Sequence, residues 1–370
     1  MYIPSNFAVI QILSRFGLRS CHIVGATILL FGSWLRLLVQ ATDRFEFIFP
    51  GTIIAAFGQG FFINSSSKLA SSWFGDKERA LSTALGGLSM PIGCILGFII
   101  AAGMISDNDG HSDSAMRYKF SLFLIVQNAV VTAATLPLVI LARDKPISPP
   151  SKAASRREEP LNFRKELGLL LRNRSYLLLC VCFMAIDSIC TAMGAIVASL
   201  TKPYNYSAVF NGICGGIFII FGVVGSFILS IYLDRTPSFK RVILLTSLLA
   251  VISTGLSIFT LPWDNKAFAV NVAVMGFSTI PMTPIAFSFA VELTYPTPES
   301  MSNGMMILPN KVYGALIGVI SSFLCQEYSP LYALALFMLN SAICVVAVLF
   351  IKEELRRLRY KEDNEAKALE

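Results

Sequence analysis

The sequence predicts an all-α membrane protein, a bundle of long hydrophobic helices, on three observations. Apolar residues come in unbroken runs, basic residues fall between the runs on alternate loops, and two related halves flank one long polar stretch. Of the 370 residues 55% are hydrophobic and 14% charged, where an ordinary soluble domain has about 25% charged. Mean hydropathy is +0.66. A surface so poor in charge does not stay dissolved, and runs of about 20 residues match the hydrocarbon thickness that a helix must cross. Membrane barrel strands would instead alternate polar and apolar residues over about ten positions.

Full-length apolar runs fall at 21–41, 46–67, 81–105, 119–142, 175–200, 208–233, 242–262, 267–291, 303–325 and 330–351, and a partial run covers 2–13. The polar stretch 143–174 carries Pro146, Pro149, Pro150 and Pro160 among Arg156, Arg157, Arg164, Lys165, Arg172 and Arg174, and reads as a linker. Each half has a short basic turn after an apolar span, "LSRFGLRS" from Leu13 and "LDRTPSFKRV" from Leu233. Two complete spans precede that turn in the second half, but only a dozen residues precede it in the first. The repeat therefore predicts twelve spans as six plus six, of which about eleven are represented, with the first transmembrane helix missing. The expected organisation is an N-terminal bundle over 1–142, the linker over 143–174, a six-helix bundle over 175–352 and a tail over 353–370.

Lys and Arg set the orientation. Arg15, Arg19, Lys68, Lys77, Arg79, the linker, Arg235, Lys240, Arg241 and the tail lie on one side. The other side holds Arg44, Arg117, Lys119, Lys202 and Lys266 together with Asp107, Asp109 and Asp113. The linker and C-terminus are thus expected in the cytoplasm. The net charge of +7 is distributed between spans rather than on one face, so it argues for topology and against a nucleic-acid partner. Cys94, Cys180, Cys182, Cys190, Cys214 and Cys344 sit inside apolar runs without CxxC spacing. The two histidines, His22 and His111, form no ligand cluster, so no metal or cofactor is expected. Met1 leads into an apolar stretch without a basic n-region, which excludes a cleavable signal peptide as its reading.

Three stretches resemble the solute carrier family 49 group, relatives of the feline leukaemia virus subgroup C receptor. They are "KLASSWFGDKERALSTALGG", "GVVGSFILSIYLDRTPSFKRV" and "VELTYPTPESMSNGMM", at matching places in the span frame. The resemblance implies a major facilitator superfamily 6+6 bundle, monomeric, at the plasma membrane or an endolysosomal membrane. It would act as a secondary transporter that moves a small organic solute by alternating access. Solutes of the group include haem, choline or ethanolamine, and pyridoxine-like vitamins. Ser14 stands where the superfamily's first-half loop carries an acidic residue, whereas Asp234 keeps it in the second half. Choline-handling relatives have glutamine at the positions matching Pro91 and Lys311 and an aromatic at that matching Thr191, and none is kept. The alternative is a truncated, non-transporting isoform or gene model acting as an interaction protein.

An ionisable group in hydrocarbon costs a few kcal/mol or more, which makes each one a functional candidate. Asp187 lies about twelve residues into its span, about 18 Å deep at 1.5 Å per residue. It reads as a substrate or coupling residue, or as a structural hydrogen-bond partner between helices. Lys311 follows Pro309 and Asn310, where a proline-loosened helix would border a cavity; the alternative is snorkelling of its long stem. Asn211, Gln59, Asn64 and Thr191 complete the expected substrate-binding set, each also explicable as interhelical glue. Asp234, Arg235, Arg15 and Arg19 are the gating or structural candidates on the basic turns. Arg36 with Trp34 reads as an interfacial anchor, and Asn205 heads a formal glycosylation sequon in a very short loop. No HExxH or GxSxG motif is present, so no enzymatic activity is expected.

Overall fold

A computed structural model of the chain describes residues 2–39, 46, 48–74, 79–104, 113–144, 146, 163–297 and 299–356, with some helix side chains excepted. Thirteen α-helices are described: α1 (Tyr2–Arg15), α2 (Gly17–Leu35), α3 (Ile48–Trp73), α4 (Arg79–Met104), α5 (Asp113–Leu141), α6 (Phe163–Arg172), α7 (Arg174–Thr201), α8 (Ala208–Arg235), α9 (Phe239–Trp263), α10 (Asn265–Thr279), α11 (Met282–Thr294), α12 (Glu299–Glu327) and α13 (Pro330–Leu349). No strand occurs among the described residues. Among the described residues eight segments are long and apolar enough to cross a membrane: Gly17–Leu35, Arg117–Leu141, Arg174–Tyr204, Ala208–Leu233, Phe239–Trp263, Asn265–Thr294, Met301–Glu327 and Pro330–Leu349. Shorter apolar helices run over Pro4–Leu13, Ile48–Ile63 and Ser89–Ala101. The last two are parts of 26-residue helices, α3 and α4, whose remaining turns carry polar residues such as Ser65 to Lys68.

The chain divides into two compact units, Met1–Gly93 with Ile100–Glu159, and Pro160–Glu370 with Cys94–Ile99. In the first, α2 and α3 are in near-backbone contact at glycines two turns apart. A Cβ on Gly58 would lie 2.9 Å from the Leu29 nitrogen and 3.0 Å from the Gly25 carbonyl, and one on Gly32 would collide with the Ala55 backbone nitrogen. In lipid the tails are as apolar as leucine, so this close van der Waals approach is the main source of helix association. Ser5 Oγ donates to the Phe57 carbonyl (2.7 Å) and Trp34 Nε1 to Thr132 Oγ1 (3.2 Å), tying α1 and α5 to the pair.

In the second unit α10 packs between α8 and α9. Here the Asn271 amide donates to the Ser253 carbonyl (2.8 Å) and Ser257 Oγ (2.7 Å), and Gly276 lies against the Phe218 carbonyl. The run 267–291 falls within one spanning segment, Asn265–Thr294, whose helix is interrupted between Thr279 and Met282, because Pro281 and Pro284 lack the amides a continuing ladder needs. The expected loosening at Pro309 is corrected: α12 continues unbroken through it, so that proline creates no discontinuity. The linker is also helical over α6, and residues 351–355 beyond α13 are not helical; residues 357–370 lie outside the described residues.

Enlarging either glycine contact is expected to cost stability. Gly32→Leu or Gly276→Leu should lower the melting temperature of the purified chain, by an amount corresponding to about 1–3 kcal/mol of overpacking. Gly93→Leu serves as the control, since a Cβ there meets nothing within 4 Å. Equal melting of all three variants would remove glycine packing as the cause of these helix contacts.

Candidate functional site

Asp187 sits, half-buried, at the middle of the 28-residue α7, where an ionised group needs polar partners. Two side chains from other helices supply them. Thr283 Oγ1 donates to Asp187 Oδ1 (3.2 Å) and Asn310 Nδ2 donates to Asp187 Oδ2 (2.7 Å). Thr283 is brought there by the interruption between α10 and α11, which leaves it in the first turn of α11. Asn310 comes from α12, 2% exposed, and α12 packs against α7 at Gly314, where a Cβ would sit at ordinary contact distance, 3.7 Å from Thr191 Oγ1 and 3.9 Å from Ser188 Cα. Thr191 Oγ1 itself donates to the Asp187 main-chain carbonyl (3.2 Å), one turn back along α7.

The Asn310 amide has one orientation compatible with this carboxylate, since flipping it would set oxygen against oxygen. That orientation leaves Asn310 Oδ1 buried without a hydrogen-bond partner among the described residues. The site therefore presents a carboxylate with acceptor capacity remaining and a second, unmet acceptor beside it. Lys311 is half-buried on α12, next in sequence to Asn310 and one turn before Gly314. In this conformation no ion pair joins it to Asp187 among the described residues.

The other candidates do not join this group. Asn211 accepts from Thr201 Oγ1 (2.7 Å), linking the end of α7 to the start of α8. Gln59 is exposed on α3, within the first unit. The side chains of Asn64 and Asp234 lie outside the described residues, while Arg235 is exposed at the end of α8 and Arg15 at the end of α1. His22 is buried in α2, its Nε2 2.9 Å from Ser65 Oγ and its ring stacked on Phe62, so it is engaged within the helix pair; His111 lies outside the described residues. Among the described residues no group of His, Cys, Asp or Glu is arranged to hold a metal ion.

Sequence reasoning missed Thr283 and gave Asn310 no role beyond its place before Lys311. The signal for Thr283 was the pair Pro281 and Pro284, which marks a helix break in the middle of a span. It also missed a carboxylate at the first basic turn. Gly17 adopts φ +85°, a left-handed turn, and Asp144, just past α5, accepts from the Arg19 backbone N–H (2.8 Å) near the start of α2. Asp144 thus supplies an acceptor at a helix N-terminus, the place where a negative charge is favoured. The equivalent turn of the second unit repeats the device: Glu353, past α13, accepts from the Lys240 backbone N–H near the start of α9 (3.1 Å).

The model of the Major Facilitator Superfamily matches residues 1–308. The choline/ethanolamine transporter flvcr2b of Danio rerio is 27% identical over 371 residues, covering 96% of this chain and 74% of that protein. Solute carrier family 49 member A3 of Xenopus tropicalis is 25% identical over 339 residues, covering 88% of this chain and 68% of that protein. Among solved structures, the nucleoside transporter NupG has the same fold, with a TM-score of 0.68 at 12% identity, covering 94% of this chain and 87% of that one.

Removing either tether tests the capping account. Asp144→Ala and Glu353→Ala should each lower thermal stability by about 1 kcal/mol, the ordinary value of an N-terminal cap, and Asp144→Asn should recover part of the loss. If both alanine variants melt with the parent chain, these carboxylates are not caps.

Proposed function

The chain belongs to the major facilitator superfamily, whose members include the transporters it resembles, and from that membership we propose that Asp187, Thr283 and Asn310 receive the transported solute in the C-terminal bundle. The chain is a secondary transporter of a small organic solute that works by alternating access, and the relatives give no support to a non-transporting reading. The single observation that carries the site is the Asn310–Asp187 hydrogen bond at mid-helix beside an interrupted span, with Asn310 Oδ1 left unmet. Discontinuous helices at mid-membrane are where transporters of this kind bind their cargo.

The solute class that suits these groups is a small polar amine whose ammonium carries N–H. Such a cation donates to Asp187 while a neighbouring hydroxyl or second N–H reaches Asn310 Oδ1. A quaternary ammonium has no N–H and relies on aromatic faces, and Pro91, Thr191 and Lys311 occupy the positions where choline-handling relatives carry glutamine, an aromatic and glutamine. Among the solutes named for the relatives, ethanolamine fits this chemistry better than choline. Lys311 then sets a second condition, meeting an anionic group of the cargo or pairing with Asp187 in another conformation. Gln59, Asn64, Asn211 and Thr191 remain proposed contributors, and the divisions 1–142, 143–174, 175–352 and 353–370 the proposed bundles, linker and tail. The skew of Lys and Arg supports a cytoplasmic linker and C-terminus, with Asp234, Arg235, Arg15 and Arg19 at cytoplasmic gates.

Uptake measured in cells or proteoliposomes tests the site. Asp187→Asn is expected to lower kcat/KM for ethanolamine by about 10- to 100-fold, as loss of a charge-assisted hydrogen bond implies, with melting unchanged. A variant that loses folding together with transport would make Asp187 a structural tie instead. Lys311→Ala and Lys311→Gln should alter solute preference or the pH dependence of uptake; unchanged rates and unchanged pH profiles remove Lys311 from the site. For orientation, cysteines introduced between residues 150 and 165 should resist an impermeant maleimide on intact cells, and labelling there would reverse the topology.

A further inference from the structure

A cavity of about 610 Å³ lies at the end of the second unit where α6, the start of α7, the α11–α12 turn and the segment after α13 meet. Four cations line it, Arg172, Arg174, Lys352 and Arg356. One lining carboxylate, Glu354, opposes them, and Arg356 Nη2 already engages it at 2.8 Å. Arg172 ends α6 and Arg174 opens α7, flanking Asn173, the N-cap of α7. At that N-terminus the helix dipole is positive and an anion is favoured.

The walls of this cavity are fixed. Asn173 accepts from the Tyr176 N–H and donates through Nδ2 to the Leu293 carbonyl (2.9 Å). Tyr176 OH donates to the Ser302 carbonyl (2.6 Å). On the far wall Lys240 Nζ donates to the carbonyls of Leu349 and Ile351, each at 2.8 Å, and the Lys352 N–H donates to Ser175 Oγ (3.3 Å). On α6, Leu170 is buried, whereas Leu169 and Leu171 are 49% and 58% exposed. A short helix with arginine at its end and leucines left outward has the make-up of an interfacial helix.

We propose that this cavity binds the phosphorylated headgroup of an inositol lipid, the acyl chains lying alongside Leu169 and Leu171. Several cations against one engaged carboxylate match a multiply charged anion better than a singly charged one. The volume exceeds what an isolated phosphate fills, and the exposed leucines give a lipid, rather than a soluble phosphate ester, its second contact. Placing the lipid in the cytoplasmic leaflet rests on the orientation proposed above. Binding to the isolated protein does not, so the two can fail separately.

The test uses the full chain in phosphatidylcholine nanodiscs and a fluorescent short-chain phosphatidylinositol phosphate. Binding should saturate, weaken with added salt, and fall about tenfold or more in Arg172→Gln/Arg174→Gln, given that each basic residue near an anionic surface contributes several-fold in affinity. Lys202→Gln/Lys266→Gln should bind as the parent does. Lys352→Gln provides a second variant should the double arginine change disturb folding, and it should weaken binding in the same direction. Phosphatidylserine in the same discs should compete poorly. Parent-like affinity in both cavity variants overturns the site, and equal competition by phosphatidylserine reduces it to general surface attraction. If inorganic phosphate or free inositol phosphate binds as tightly with the same dependence on the arginines, the ligand is a soluble anion and the lipid assignment fails.

Discussion

A carboxylate halfway along a membrane-spanning helix needs polar partners, and the half-buried Asp187 has two of them on other helices of the second unit. An ionised group left without partners in hydrocarbon costs several kcal/mol. Thr283 and Asn310 hydrogen-bond that carboxylate from two other helices. Thr283 lies in the first turn after the interruption between α10 and α11, and Asn310 on the face of α12 that packs against α7. The interruption, the asparagine and the carboxylate form one arrangement held together by a few hydrogen bonds.

Such an arrangement is suited to change. Hydrogen bonds between side chains in membrane bundles contribute about 0.6 kcal/mol on average, so the ties from Thr283 and Asn310 can be exchanged for ties to a bound molecule without dismantling the unit. The stiffer contacts lie elsewhere. Gly276 against the Phe218 carbonyl and the α2–α3 crossing at Gly25, Gly32 and Gly58 bring backbones together, and packed backbones do not deform gradually. Alternating access needs both kinds of contact: bodies that stay intact, and ligand-sensitive bonds whose partners can be exchanged.

Hydrophobicity made the helices legible, because the bilayer imposes one length and one polarity on every span. Asp187 was legible for the same reason, as a charge where charges are costly. What surrounds it was not. Thr283 is one of many threonines in apolar runs, and only the spacing of Pro281 and Pro284 distinguishes it; Pro309 carries the same local signal, yet α12 runs through it undisturbed. A proline inside a span removes one hydrogen bond, and whether the helix breaks depends on neighbours that satisfy the freed carbonyl. Two prolines three residues apart remove two amides within one turn, which explains why the break falls at Pro281 rather than at Pro309. Asn310 was hidden by its charged neighbour, since residues adjacent in sequence point about 100° apart on a helix.

The two capping carboxylates carry the internal repeat further than the basic turns did. Ser14 replaces the expected acidic residue in the first turn, which in the sequence looks like a lost contact. In the structure an acidic side chain is nevertheless present at that helix start, delivered from beyond α5 by Asp144, and Glu353 arrives from beyond α13 at the start of α9. In the six-plus-six frame α2 and α9 are the third span of their halves, and α5 and α13 the last. A backbone N–H in the first turn of the helix is thus met by the same kind of group from the same relative place in both units. Identity of the acidic residue's origin, not of its sequence position, is what the repeat preserves. A helix N-terminus needs an acceptor at a point in space, and either half of the chain can bring it there by closing its last span against its third.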